Sequence, residues 1–246
     1  ISDENTPETL AEITYYGTTN SNTWYSDRED QEVEPGMQID QGWDLEGFFF
    51  DENNSLSMVG GYDFVNGKDD TTSGDIFIDI DGDAEYGRIW ANPEDWTDET
   101  LLMTDTFGFD YVLDMDFETK TYDIYELNEN STTLSPYVWR NQGSNPWKYN
   151  DGGTLLAENI GFGYETGLTD AETGFEGGYH NAVTDIDLSF IASEDISTEF
   201  VVHFTMACGN DNLMGAGSIG PSGTGGGGGS EAGTSESPEP ATMLLL

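Results

Sequence analysis

Tyr111-Val112-Leu113-Asp114-Met115-Asp116-Phe117-Glu118-Thr119-Lys120-Thr121-Tyr122-Asp123-Ile124-Tyr125-Glu126-Leu127 decides the fold. Its first half alternates. Leu113, Met115 and Phe117 point one way, and Asp114 and Asp116 point the other. That period of two belongs to a strand with one wet and one dry face. Phe117-Glu118-Thr119-Lys120-Thr121 supplies a tight turn. In the return strand Tyr122, Ile124 and Leu127 carry most of the apolar surface. The stretch predicts an antiparallel hairpin.

The same grammar extends over the rest of the chain. Further strands are expected at residues 12–16, 43–50, 56–64, 75–81, 159–164, 182–191 and 199–206. Turn chemistry separates them at Asn66-Gly67, Asp81-Gly82, Asn141-Gln142-Gly143 and Asp151-Gly152-Gly153. Helical periodicity is scarce, and only residues 93–103 suggest a short helix, opened by Pro93. Many short strands with frequent turns predict an all-β domain. The favoured form is an antiparallel two-sheet sandwich of jelly-roll type. Residues 1–10 are expected to be loose and 11–214 to form the domain. A Gly/Ser-rich linker over 215–236 cannot bury enough surface to order itself and predicts a disordered tail.

Composition sets the charge problem. Six basic residues stand against 49 acidic ones in 246, a net charge of −43. Such a surface repels nucleic acid and anionic membranes, which need cationic contacts. It attracts divalent cations, and its self-repulsion favours conditions that screen it. A salt-adapted surface that collects cations diffusely is the alternative. Cys208 is the only cysteine, so no intrachain disulfide can form. Its place between a strand and a Gly-Asn-Asp turn favours burial.

Three Asp-x-Asp pairs recur: Asp79-Ile80-Asp81, Asp114-Met115-Asp116 and Asp185-Ile186-Asp187. On a regular strand each pair projects two carboxylates to one side, about 7 Å apart. Asp75 extends the first row. Neighbouring rows repel unless cations sit between them. An ordinary solvated sheet face is the competing explanation. The densest cluster is Asp79, Asp81, Asp83 and Glu85 around Gly82. Calcium takes roughly six to eight oxygen ligands, and a strand running into such a turn can supply several. The loop is not an EF-hand. Counted from Asp79, the place of its glycine holds Ala84, and the place of its closing glutamate holds Trp90. Lys68-Asp69-Asp70 and Asn210-Asp211-Asn212 are weaker oxygen-rich turns.

Trp139, Arg140, Asn141, Trp147 and Tyr149 surround an Asn/Gln/Gly/Ser loop that holds two of the six tryptophans and two of the six basic residues. Exposed indoles beside amides suit sugar rings; filling a core is the other use of such residues. No catalytic signature is present: no Gly-x-Ser-x-Gly, His-Glu-x-x-His, Walker loop or Cys-x-x-Cys. His203 lies in a strand-like run and reads as structural. A glycosidase needs only two carboxylates, and nothing singles out a pair.

The segment Ser237-Pro238-Glu239-Pro240-Ala241-Thr242-Met243-Leu244-Leu245-Leu246 resembles the start of a PEP-CTERM sorting signal. His203-Phe204-Thr205-Met206-Ala207-Cys208-Gly209-Asn210-Asp211-Asn212 is similar to the segment that closes the folded domain in many exosortase-dependent surface proteins. In that family the triplet Pro238, Glu239, Pro240 leads into a membrane span of about 20 apolar residues and a basic cluster. The sequence here stops after Leu246. Ile1-Ser2-Asp3-Glu4-Asn5-Thr6-Pro7 has no leader-like pattern, as expected of a sequence beginning near a mature N-terminus. The resemblance implies export in a Gram-negative-type bacterium, with exosortase as a sorting partner, and a place at the cell surface or in the extracellular matrix. The expected function is therefore a non-enzymatic, calcium-stabilised surface or matrix protein with an adhesive or assembly role, its partners exopolysaccharide or copies of itself. A carbohydrate-binding module is the first alternative and a secreted glycan hydrolase the second.

Overall fold

In a computed structural model the described residues are 38, 40–51, 53–84, 101–103, 107–137 and 145–221, with 101–103 described as backbone only. The strand expected at 12–16, the helical part of 93–100 and the tail beyond 221 lie outside them. The hairpin forms as its alternation dictates. β5 and β6 are Tyr111–Asp116 and Thr121–Glu126; among the described residues the order is β1 (Leu45–Phe50), β2 (Ser55–Gly60), β3 (Ile76–Asp79), β4 (Leu101–Met103), β5, β6, β7 (Thr132–Leu134), β8 (Lys148–Asp151), β9 (Thr154–Gly161), β10 (Gly163–Leu168), α1 (Asp170–Thr173), β11 (His180–Asp187), β12 (Thr198–Thr205) and β13 (Asn212–Ile219). In the turn, Asp116 accepts from the N–H groups of Glu118 and Thr119, and Lys120 takes a positive φ of 58°.

Every strand pairing is antiparallel. One sheet has the order β1-β2-β11-β10, and the second β13-β12-β3-β5-β6-β9. They pack face to face as the expected all-β sandwich. Leu45, Phe48, Leu56, Met58, Val183 and Ile186 come from the first. Ile76, Ile78, Leu113, Met115, Tyr122, Ile124, Phe200, Val202 and Phe204 come from the second. Each fully buried side chain of this size contributes about 1.5–3 kcal/mol.

The structure adds a third sheet, β4-β7-β8. Leu101–Met103, expected to close a helix, instead pairs with Thr132–Leu134. The outer face of the six-stranded sheet is also buried: Phe77, Val112 and Met214 pack with Phe107, Phe109 and Ala84. This explains the unbroken apolar run Ile76-Phe77-Ile78. Its alternate residues serve two cores rather than one core and solvent.

The domain boundary expected at Met214 is corrected. β13 runs to Ile219, paired with β12 along its whole length. Gly217 belongs to the sheet because the Phe200 ring lies where a β-carbon would be, at 2.5 Å. Gly215 and Gly217 belong to the strand, paired with Val202 and Phe200, and are not linker.

Candidate metal centre

β3 stops at Asp79 because its own carboxylate turns the chain. Asp79 is 2% exposed. Its Oδ1 accepts from the N–H groups of Asp81 (3.0 Å) and Gly82 (2.9 Å), and its Oδ2 from Ala84 N–H (3.1 Å). An aspartate satisfying several following N–H groups stabilises a turn in preference to a strand. Gly82 takes φ 83°. Asp81 therefore leaves the strand and sits exposed in the turn. The expectation of Asp79 and Asp81 on one strand face is corrected: the turn, not the pleat, brings them together.

The second half of the site comes from the loop leading into β5. Asp110 Oδ2 accepts from Ile80 N–H at 2.7 Å, and Asp110 N–H donates to Ile78 O at 2.9 Å. Gly108, with φ 72°, lies so close to the Asp83 main chain that a β-carbon would meet Asp83 O at 2.4 Å. Asp79, Asp81 and Asp110 thus each place a carboxylate oxygen within 4.8 Å of the other two. One carboxylate is buried, one half-buried and one exposed, which leaves solvent access on the Asp81 side. Burial pushes the Asp110 carboxyl above the usual range. The Ile80 N–H opposes this, while the charges of Asp81, Asp79 and Asp83 add to it.

An all-oxygen, anionic donor set suits a hard divalent cation. Carboxylates 4 Å apart repel by about 1 kcal/mol in water, and by about 4 at the effective dielectric of a protein surface. A bound cation turns that cost into coordination. Of the expected ligands, Asp79 and Asp81 are brought together. Asp83 stays beside them as a neighbouring charge, and Glu85 lies outside the described residues. Asp110 was missed from sequence because only the β3–β5 pairing carries it to the turn.

The other acidic candidates do not join. Asp75 is fully buried, accepting from Met115 N–H (2.9 Å) and Tyr149 N–H (2.8 Å). Burial pushes its carboxyl up to about 7; Lys148 opposes this and Asp114 reinforces it. Asp114 is raised by burial too, with Lys148 again opposing and Asp123 and Asp116 adding. Asp116 serves the hairpin turn. The pair Asp185 and Asp187 does not form a regular row. Asp185 takes φ 63° at a register break between Val183 and Ile186, and Asp187 accepts from Ser189 N–H. The three aspartate pairs therefore do not converge.

The sugar-facing expectation is corrected at Trp147, which is 6% exposed and packs so tightly on Gly74 that a β-carbon there would meet the indole at 2.6 Å. Tyr149 stacks on Tyr125 with ring centroids 4.7 Å apart. Trp139, Arg140 and Asn141 lie outside the described residues. Asn210, Asp211 and Asn212 are buried, and Asp211 accepts from Leu45 N–H, so this turn ties the sheets together. Cys208 is buried as expected, and His203 is buried in β12.

No family model matches the chain, and neither a curated protein nor a solved structure matches it. Among the described residues no helix is long and apolar enough to cross a membrane.

Proposed function

We propose that this chain is an exported, non-enzymatic surface or matrix protein whose sandwich is stabilised by calcium at Asp79, Asp81 and Asp110. The observation that carries the calcium reading is the meeting of three carboxylates within 4.8 Å across two loops. Calcium is preferred to magnesium on two grounds. The site is built from turns with one exposed carboxylate, so its ligand number is flexible. Magnesium demands near-octahedral geometry and keeps its water.

Neutralising this knot locks the end of β3 to the start of β5, at the centre of the six-stranded sheet. The role that follows is mechanical, a domain firm where calcium is plentiful. Export rests on the resemblance of the Pro238-Glu239-Pro240 tail to a sorting signal, and adhesion or assembly on that export. The sugar-binding alternative loses its second indole to the core.

Calorimetric titration with calcium and magnesium tests the site. One calcium per chain is expected beyond diffuse binding, at least tenfold weaker in Asp81→Asn and in Asp110→Asn. Equal heats for both metals, unchanged in both variants, would reduce the reading to screening of a −43 surface. Export is tested separately: a reporter carrying residues 220–246 followed by an apolar span should be processed in an exosortase-bearing cell and left unprocessed when Pro238-Glu239-Pro240 is replaced by alanines.

A further inference from the structure

Residues 169–179 form a strap across the four-stranded sheet, away from the aspartate turn. The strap opens with α1, where the N–H and the hydroxyl of Thr169 donate to Glu172 Oε2 at 2.8 and 2.7 Å. It closes through Gly177 and Gly178, whose φ values of 136° and 90° suit glycine. Between them Phe175 packs on Val59 and Ala182, with Phe49 and Leu168 beside it. Phe49, Val59 and Ala182 alternate with the core residues Phe48, Met58 and Val183, so the strap covers the outer face. A β-carbon on Gly47 would meet the Phe175 ring at 3.0 Å.

The two ends of the strap are tied together. Asp170 Oδ1 accepts from Gly178 N–H at 2.7 Å and lies 3.0 Å from His180 Nε2. His180 Nδ1 lies 2.7 Å from both carboxylate oxygens of Glu46. Glu46 and His180 are 0% exposed, and the Asp170 side chain is about half exposed. Gln41 brings an uncharged amide within 3.3 Å of Nδ1, β10 sets Leu168 opposite His180, and β2 sets Gly60 opposite Asn181. Among the described residues the charged groups that meet the ring are therefore Glu46 and Asp170. An ionised carboxylate only accepts, and a neutral imidazole has a single N–H. The row Glu46–His180–Asp170 closes with two protons and not with one. The hydrogen bond from His180 holds the Asp170 carboxyl below the usual range, with Gly178 N–H adding to the effect and burial opposing it.

We propose that this row is a proton-operated clasp, closed over the apolar outer face while it holds two protons and open once one of them leaves to solvent. The outer link is the one that yields. Glu46 is wholly buried, and losing its hydrogen bond would leave it without water in exchange. Asp170 is half exposed, so water takes the place of the bond it loses. With one proton gone, Nε2 turns a lone pair on an ionised oxygen, and the two repel. Asp170 swings outward, Gly178 N–H loses its acceptor, and packing alone holds Phe175. The glycine pair then lets the strap lift from Gly47, Val59 and Ala182. The two signs are opposite. The imidazolium's share is present at low pH and lost as pH rises, which for imidazoles happens near neutrality. Asp170's share is lost only as pH falls through its lowered value. The clasp is closed in the window between and opens toward alkaline pH.

Backbone amide exchange of the full chain in excess calcium, from about pH 5 to about pH 9 and corrected for intrinsic exchange rates, is the test. Protection of residues 169–179 should fall about tenfold or more across that range, the equivalent of one lost hydrogen bond to a charged group. The fall should exceed any in β12 and β13, which separates lifting of the strap from loss of overall stability. The chain has two histidines. The ring signals of His180, assigned with His180→Gln, should shift at the midpoint of the strap's step. Asp170→Ala removes the outer link at the surface, so its strap should exchange at the alkaline level at every pH. Equal protection of the wild-type strap at both ends of the range, or an equal step in Asp170→Ala, overturns the proposal. So does a step whose midpoint the His180 ring does not share.

Discussion

On the six-stranded sheet, Asp75 and Asp114 lie beside Lys148, while Asp79, Asp81 and Asp110 crowd together with Asp83 as the further charge acting on Asp110. The first group is neutralised from within. Lys148 supplies a positive charge, and Asp75, wholly buried, keeps its proton up to about pH 7. The second group has solvent access and a ring of oxygens. What separates them is burial and the sign of the neighbours, not residue type. One acidic row becomes a strut between sheets, and the other gathers three carboxylates that could hold a metal ion.

The comparison breaks most visibly in the pH dependence of stability. Asp75 has a folded pKa above its unfolded value. Its contribution is therefore fully present below about pH 4 and lost as pH rises through about 7. The loss is on the order of a few kcal/mol. Denaturant unfolding from pH 4 to 8 should show it in wild type. Asp75→Asn should flatten it, and calcium should leave it untouched. Parallel pH profiles for wild type and Asp75→Asn would remove the internal-neutralisation half of the comparison.

Gly108→Ala probes the other group. The new β-carbon meets Asp83 O in a backbone conformation suited to glycine. A cost of about 1–3 kcal/mol is expected, with weaker calcium binding in titration. Full calcium affinity in this variant would mean that the two loops need not touch.

Asp110 sharpens the contrast further. Its carboxyl is also raised, so its contribution too is present at low pH and lost as pH rises. A cation competes with that proton. In the Asp75→Asn background, saturating calcium should abolish Asp110's share of the remaining pH slope, and magnesium at equal ionic strength should not. The smallest effect is expected at Asp187→Ala, which removes the acceptor of the Ser189 N–H. It weakens one turn by about 0.5–1 kcal/mol, leaving the calcium response unchanged.

How far the sequence speaks is clearest at particular residues. The hairpin over β5 and β6 was legible almost to its ends, because strict alternation and a polar turn agree. β7 and β8 were not, being short and rich in Thr, Lys and Asn; Tyr149 of β8 packs against the cluster of Phe77 and Val112. β13 was hidden by Gly215 and Gly217; at Gly217 the lack of a side chain makes room for the Phe200 ring. Asp79 and Asp81 do come together, but through a turn rather than on a strand face. Asp110 and the Glu46–His180–Asp170 row depend on pairings between distant segments, which no local pattern announces. Trp147 reads alike as a sugar platform and as core, and burial alone decides.

Thermal unfolding of the wild-type chain in calcium, in magnesium at equal ionic strength, and in chelator tests the central claim most directly. A ligand bound only to the folded form at a hundredfold excess over its dissociation constant stabilises it by about 2.7 kcal/mol. For a domain of this size that is a rise in Tm of about 5–10 °C. The account predicts that rise in calcium alone, most of it lost in Asp81→Asn and in Asp110→Asn. Equal rises in calcium and magnesium, retained in both variants, would contradict it.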